Sequence, residues 1–238
     1  MRKQKIKENL LTLFYPRRCA ICDRALYGDA MICPFCEKKV KVIEGDTCIR
    51  CGKVLKNDED LYCYDCKRKH VSFDRGTGVF EYDFIKESLF RFKYGGRAEY
   101  ARFYAKVAWE RYKEVFDLWR VDALIPVPIH RERFNKRGYN QAAEFARCLS
   151  EYMNVPVMDE MIVRNVNTVP LKRMGAADRQ KNLKKAFKLT QNDVKFKKVC
   201  IVDDIYTTGS TIDALATILK EAGVKKVYFI TVAIGAGL

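Results

Sequence analysis

The 238-residue sequence predicts an α/β fold, a mostly parallel twisted sheet flanked by helices, preceded by a small cysteine-rich metal module. Three observations carry this reading. Short apolar runs at 121–129, 199–202 and 227–234 alternate with segments of helical period, the pattern of a parallel-core sheet. The run at 199–202 leads into two aspartates, a loop of hydroxylated residues around one glycine, and a helix. Finally, eight of the ten cysteines fall within residues 19–66, as four C-x-x-C pairs.

The totals bound the rest. With 48% hydrophobic residues the chain can bury a real core, and its length fits one domain of ordinary size plus a small module. The expected division is 1–70 for the N-terminal helix and double metal module and 71–238 for the α/β domain. Forty-five Lys and Arg against 30 Asp and Glu leave a formal charge of +15, which favours phosphate-rich partners unless it only solvates the surface. No run of 18 apolar residues is present, so no membrane span is expected. The apolar stretch 10–15 is too short for a secretory signal, and the expected location is cytoplasmic.

Ile6, Leu10, Leu11, Leu13 and Phe14 predict a short amphipathic helix ending before Pro16. The pairs Cys19/Cys22, Cys33/Cys36, Cys48/Cys51 and Cys63/Cys66 follow, separated by 10, 11 and 11 residues. Two C-x-x-C knuckles complete a tetrahedral site of four sulfurs, so eight thiolates fit two zinc ions of structural type, with no position open for water. Sequential pairing is favoured over an interleaved cross-brace, because each short loop can close on its own. Disulfides do not suit a cytoplasmic chain, and redox C-x-x-C motifs do not normally come four in a row. His70 reads as a surface residue rather than a spare ligand. Cys148 and Cys200 fall in predicted core elements and read as packing. Arg17, Arg18, Lys38, Lys39, Lys41, Lys53, Lys67, Arg68 and Lys69 make the module basic, with Tyr15, Phe35, Tyr62 and Tyr64 between them. Those aromatics either face single-stranded nucleic acid or form the module's own small core; the sequence leaves both open.

In the second part, Val79, Phe80, Tyr82 and Phe84 predict β structure, and 85–92 a short helix. Lys93-Tyr94-Gly95-Gly96-Arg97 reads as an anion-facing turn, and Ala101, Tyr104, Ala105, Ala108, Tyr112 and Val115 mark a longer helix. The strand at 121–129 ends in two prolines. An arginine-rich loop follows, then a helix with Ala142, Phe145, Ala146, Leu149 and Met153 on one face. That loop suits a highly charged anion, with pyrophosphate as the candidate. Residues 164–187 are too long for a bare connector and are expected to be a mobile lid or a β-arm.

The chemistry concentrates at 198–211, K-V-C-I-V-D-D-I-Y-T-T-G-S-T. The strand is expected to end at Asp203 and Asp204, with Ser210 or Thr211 capping the next helix and Gly223 ending it. A small loop entering a helix N-terminus gathers backbone N–H groups where the dipole favours negative charge, a seat for a phosphate. The carboxylates before it accept hydrogen bonds only, so they suit sugar hydroxyls. The stretch is not a P-loop, since G-x-x-x-x-G-K-[ST] is absent.

This stretch resembles the phosphoribosyl-pyrophosphate (PRPP) motif of type I phosphoribosyltransferases. The resemblance implies that Asp203 and Asp204 hold the ribose hydroxyls and that Thr207, Thr208, Gly209, Ser210 and Thr211 wrap the 5′-phosphate. Nearly the whole chain resembles the ComF (ComFC) family, in its ribbon cysteines, F-K-Y-G-G-R (92–97), I-P-V-P-I-H (125–130), K-R-G-Y-N-Q (136–141), the T…R…N…A-F segment (168–187) and V-D-D-I-Y-T-T-G-S-T (202–211). Leu171 stands where that family commonly has Gln. The resemblance implies a type I phosphoribosyltransferase fold behind a double zinc ribbon, PRPP with Mg²⁺ as ligand, and a role in natural transformation. Pyrophosphate would lie on Arg131, Arg137, Gly138, Tyr139 and Asn140, and a lid carrying Thr168, Lys172, Arg179 and Asn182 would close over it. Single-stranded DNA and a DNA-uptake helicase are the implied macromolecular partners. The activity expected is phosphoribosyl transfer. The alternative is a DNA-binding adaptor whose PRPP site senses or is vestigial.

Overall fold

The computed structural model of the protein describes residues 16–57, 59–165, 185–190 and 194–235. The amphipathic segment expected before Pro16 lies outside them, as do Leu171 and the predicted lid residues Thr168, Lys172, Arg179 and Asn182.

Four parallel strands form the central sheet: β1 (Arg75–Glu81), β2 (Ala123–Pro126), β5 (Lys198–Tyr206) and β6 (Lys226–Ile234), in spatial order β1-β6-β5-β2. Both faces of such a sheet must be covered, and the side chains alternate accordingly. Leu124, Cys200, Val202, Ile230 and Val232 point into one core. There they meet α3 (Tyr82–Tyr94), α4 (Tyr100–Trp119) and α6 (Gln141–Met153), through Ile85, Leu89, Phe92, Tyr104, Phe145 and Leu149. Ile125, Val199, Ile201, Val227 and Phe229 point the other way, onto Ile212, Leu215 and Leu219 of α7 (Ser210–Glu221).

Several boundaries differ from expectation. Tyr82 and Phe84 are helical, not β: the strand stops at Glu81 and α3 begins at once. The arginine-rich loop contains a helix, α5 (Arg131–Arg137), capped by the His130 Nδ1, which accepts from Glu132 N at 3.3 Å, and stopped by Gly138 at φ +81°. Strand β5 does not end at the aspartates but runs through both to Tyr206, because β6 still pairs with it there, Asp203 opposite Thr231 and Tyr206 opposite Ile234. Of the long polar segment, the described ends, β3 (Ile162–Arg164) and β4 (Phe187–Leu189), pair antiparallel as the stem of an arm. Gly223, at φ +94°, ends α7 as expected.

The cysteine module folds as two successive ribbons that repeat one plan. In each, the first knuckle closes through an N–H to the carbonyl of its first cysteine: Asp23 to Cys19 at 2.9 Å, Gly52 to Cys48 at 2.8 Å. Both turn residues are left-handed, at φ +61° and +73°. The second knuckle opens a short helix, α1 (Pro34–Glu37) or α2 (Tyr64–Arg68). The second ribbon does not stand apart: Cys48, Cys51 and Cys66 share a core with Phe73, Tyr206 and Phe229 of the α/β part. A Cβ on Gly52 would lie 2.7 Å from Thr77 Cα. Gly52→Ala therefore meets both a left-handed backbone and an immovable neighbour. A cost of roughly 2–4 kcal/mol is expected, read as a melting midpoint about 5 °C or more lower; an unchanged midpoint would contradict the close packing of ribbon on strand.

Candidate functional site

Beyond Pro126 the partner of β5 peels away, and Val127 N makes the last bond, to Val202 O at 2.8 Å. Past that point the side of β5 is open. A cleft of about 150 Å³ lies there, beyond the carboxyl end of β2 and beside the last residues of β5, at the end of the sheet where open α/β folds place their ligands. Asp203 and Asp204 line it, with Thr211 on the first turn of α7, Val127–Ile129 beyond β2, and four cations: Lys93, Arg133, Arg137 and Arg164. Four positive charges against two carboxylates leave the cleft net positive over an acidic floor.

The floor is ordered by short contacts. Lys93 Nζ sits 2.6 Å from Asp204 Oδ2, and the two side chains are only 19% and 15% exposed. Asp203 Oδ1 accepts from Asp204 N at 2.8 Å. Burial, and then the charge of Asp204, push the Asp203 carboxyl well above the ordinary carboxylate range. Burial also lowers the Arg164 guanidinium, as does Arg133, while Asp203 supports its charge. Arg137 donates to Gln141 Oε1 at 2.7 Å and to Tyr94 OH at 3.1 Å, both neutral partners. Among the described residues no carboxylate pairs with Arg133 or Arg137. Like charges crowd here with little internal compensation, an arrangement typical of binding sites rather than of stable surfaces.

The loop expected to hold a phosphate sits where the cleft meets α7. Gly209, not Ser210 or Thr211, occupies the helix cap, at φ +78°. A side chain there would also strike the Tyr206 ring, its Cβ 2.5 Å from the hydroxyl, so the turn requires glycine. Thr208 and Ser210 share a hydroxyl hydrogen bond of 3.0 Å. Thr207 and Thr208 are exposed, and Thr211 reaches the cleft wall.

Of the residues expected to hold pyrophosphate, the fold brings Arg137 and Asn140 to the cleft. Asn140 is fixed from both sides: its Oδ1 caps α6 by accepting from Ala142 N, and its Nδ2 donates to Val127 O, each near 3 Å. Arg131 is exposed and does not line the cleft, Gly138 ends α5, and Tyr139 turns inward to donate to Phe92 O. The turn at 93–97 does not face a single anion. Lys93 binds Asp204, whereas Arg97 forks onto Asp23 of the first ribbon at 2.8 and 3.2 Å. Lys93 thus reaches the site from the turn read as anion-facing, Arg133 from the arginine-rich segment, and Arg164 from the start of the long polar segment. For Arg133 and Arg164 the signal was membership in polar, basic stretches.

The eight cysteines form two groups, Cys19/Cys22/Cys33/Cys36 and Cys48/Cys51/Cys63/Cys66, with all ligand atoms of each group within 4.8 Å of one another. The pairing is sequential. At a zinc–sulfur distance of about 2.3 Å a regular tetrahedron sets its sulfurs about 3.8 Å apart. Cys22 and Cys33 Sγ are 3.8 Å apart, and Cys51 and Cys63 Sγ 3.6 Å. Cys33 N also donates to Cys19 Sγ at 3.3 Å, as a thiolate invites. The groups are two four-cysteine zinc-binding sites, whose metal when bound crosslinks each ribbon. His70 is exposed and outside both groups. Two of the ribbon aromatics lie outside any core: Phe35 and Tyr64 are 59% and 67% exposed, with Lys39 Nζ 4.0 Å from one ring centre and the Arg68 guanidinium 4.9 Å from the other. Tyr62 is half-buried against the core of the second ribbon, and Tyr15 lies outside the described residues. Among the described residues no helix is long and apolar enough to cross a membrane.

Comparison with known proteins agrees with this architecture. Residues 10–67 match the double zinc ribbon domain and residues 138–236 the phosphoribosyl transferase domain. The molecule is of the class that joins these two domains in one chain. Within that class it is a homologue of the competence proteins F and ComFC. It is 29% identical over 221 residues to competence protein F of Haemophilus influenzae, covering 90% of this chain and 95% of that one. With competence protein ComFC of Bacillus subtilis it shares 28% over 224 residues, 86% and 89% of the two chains. The DNA utilization protein YhgH of Escherichia coli K12 is 26% identical over 209 residues, 86% and 85% of the two chains.

Proposed function

We propose that the cleft binds PRPP, or a ribose phosphate of the same kind, together with Mg²⁺, and that the protein serves DNA uptake. The observation that carries the ligand is the convergence, in one cleft, of Asp203 and Asp204 with Thr211 at a helix N-terminus and with four cations. The carboxylates accept the ribose hydroxyls. The loop 207–211 takes the 5′-phosphate, and Arg133, Arg137 and Arg164 take the pyrophosphate. Lys93 then has two duties: it neutralises Asp204 while the site is empty and adds a cation once the ligand is bound. Transfer would form a bond from an acceptor to ribose C1 as the C1–oxygen bond breaks and pyrophosphate leaves with the electron pair. The residues here serve such a step by positioning and by spreading charge. The names of the relatives, competence and DNA utilization proteins, support the uptake role.

Calorimetric titration with PRPP and Mg²⁺ tests the cleft. Saturable binding is expected in the wild type; none at millimolar ligand would remove PRPP from the reading. An adaptor role on DNA is a second reading, favoured by the exposed, cation-flanked Phe35 and Tyr64 on the ribbons. For a strand held through roughly four phosphates, its affinity is expected to fall about 50-fold between 50 and 200 mM salt. Binding indifferent to salt would exclude a phosphate-led contact.

A further inference from the structure

At the mouth of the cleft, two aromatic rings lie outside every core. Phe90 and Tyr94 occupy one face of α3, one turn apart, and are 64% and 61% exposed, their ring centres 5.2 Å apart. The Arg137 guanidinium lies 4.8 Å from the Tyr94 ring centre and bonds its hydroxyl, while also lining the cleft. Beyond it, α5 carries Phe134, 49% exposed, among Arg131, Arg133, Lys136 and Arg137 with one acidic residue, Glu132. Solvated aromatic faces interleaved with guanidinium groups add little to the stability of the folded chain, and they match the flat faces and the charge of unpaired nucleotides.

We propose that Phe90, Tyr94 and Arg137 form a stacking platform for the bases of single-stranded nucleic acid. Arg137 is then shared between that strand and the anion in the cleft. The second part rests on the cleft reading above; the first does not. A strand, rather than a free base, is the occupant because the platform is shallow. A base stacked on an open face gains too little to bind alone, so the backbone phosphates on the α5 cations must supply the rest. Because one guanidinium cannot serve two anions fully, a filled cleft weakens strand binding, and by linkage the strand weakens the cleft ligand by the same factor.

Fluorescence anisotropy with a labelled oligo-dT strand tests this on the full-length, zinc-loaded protein. Phe90→Ala is expected to weaken the strand by about 5- to 100-fold, the loss of one base stack. Phe90→Tyr should restore it, and calorimetric binding of PRPP with Mg²⁺ should be unchanged, since Phe90 does not line the cleft. Adding PRPP with Mg²⁺ should weaken the strand in the wild type and not in Arg137→Ala. Full strand affinity in both Phe90→Ala and Tyr94→Leu overturns the platform, and places the strand on the ribbons if Phe35→Ala and Tyr64→Ala then abolish it. Thymidine binding as tightly as the strand also overturns it, making this a small-molecule site. If PRPP does not bind at all but Phe90→Ala still weakens the strand, the platform stands while the sharing of Arg137 and the cleft reading fall together.

Discussion

Replacing Asp203 and Asp204 together by asparagine is expected to weaken PRPP by about 100-fold or more while leaving a folded protein. Asparagine keeps the volume, so the floor of the cleft does not collapse. What is lost is a pair of charged acceptors, each worth about 1.5–3 kcal/mol in a hydrogen bond to the ligand. Calorimetric titration of the variant checks it; undiminished affinity would move the ribose elsewhere. The same carboxylates make a second, opposite demand. Burial and the neighbouring Asp204 raise the Asp203 carboxyl, so the folded state holds that proton more tightly than the unfolded chain does. Stability therefore falls as pH rises from the ordinary carboxylate range through the raised value. Asp203→Asn removes the penalty. Without ligand it should melt a few degrees above the wild type at neutral pH, an advantage of about 0.5–2 kcal/mol. The gap should close as the pH is lowered, because Asp203 becomes neutral in both states. A variant less stable than the wild type at neutral pH would show that the carboxylate is better compensated than its surroundings indicate.

Losing the second zinc site should do far more damage than losing the first. Cys48, Cys51 and Cys66 are buried with Phe73, Tyr206 and Phe229. The Tyr206 ring in turn stacks on Phe229, with centres 4.8 Å apart, and backs the Gly209 turn. Cys51→Ser leaves a buried, incomplete site of three sulfurs in that core. We expect a loss of more than about 4 kcal/mol, with the sheet and the loop 207–211 affected together. The first ribbon's cysteines cluster apart, with Leu26 alone among other buried residues, and Cys22 is exposed. Cys22→Ser should loosen that ribbon and the Asp23–Arg97 link while the sheet still melts cooperatively. Zinc content by mass spectrometry and thermal melts followed by far-UV circular dichroism distinguish the two variants. Equal melts would mean that the ribbons support the fold equally.

Much of this was legible along the chain. The C-x-x-C spacing announced two four-cysteine sites and favoured their sequential order, because a knuckle is a local turn and a loop of 10 or 11 residues closes on itself; the grouping itself came from the fold. The segment 198–211 announced a strand, an acidic pair, a tight loop and a helix, because alternation and helical period are local signals. Its errors were local too. The β-branched and aromatic character of the stretch around Tyr82 and Phe84 suggested a strand, where packing of α3 on the sheet prevailed. The density of arginines hid a two-turn helix at 131–137.

The order β1-β6-β5-β2, and the meeting of Lys93, Arg133 and Arg164 with Asp203 and Asp204, came from the assembled sheet. So did the parting of Lys93 and Arg97, neighbours on one turn, toward the cleft and the first ribbon respectively. Residue type and spacing specify what a stretch of backbone can do and which ligands its groups could take. Which charges face each other depends on how two distant elements pack, and that is decided by the burial of their apolar faces, which says nothing in advance about where a lysine at the rim will point.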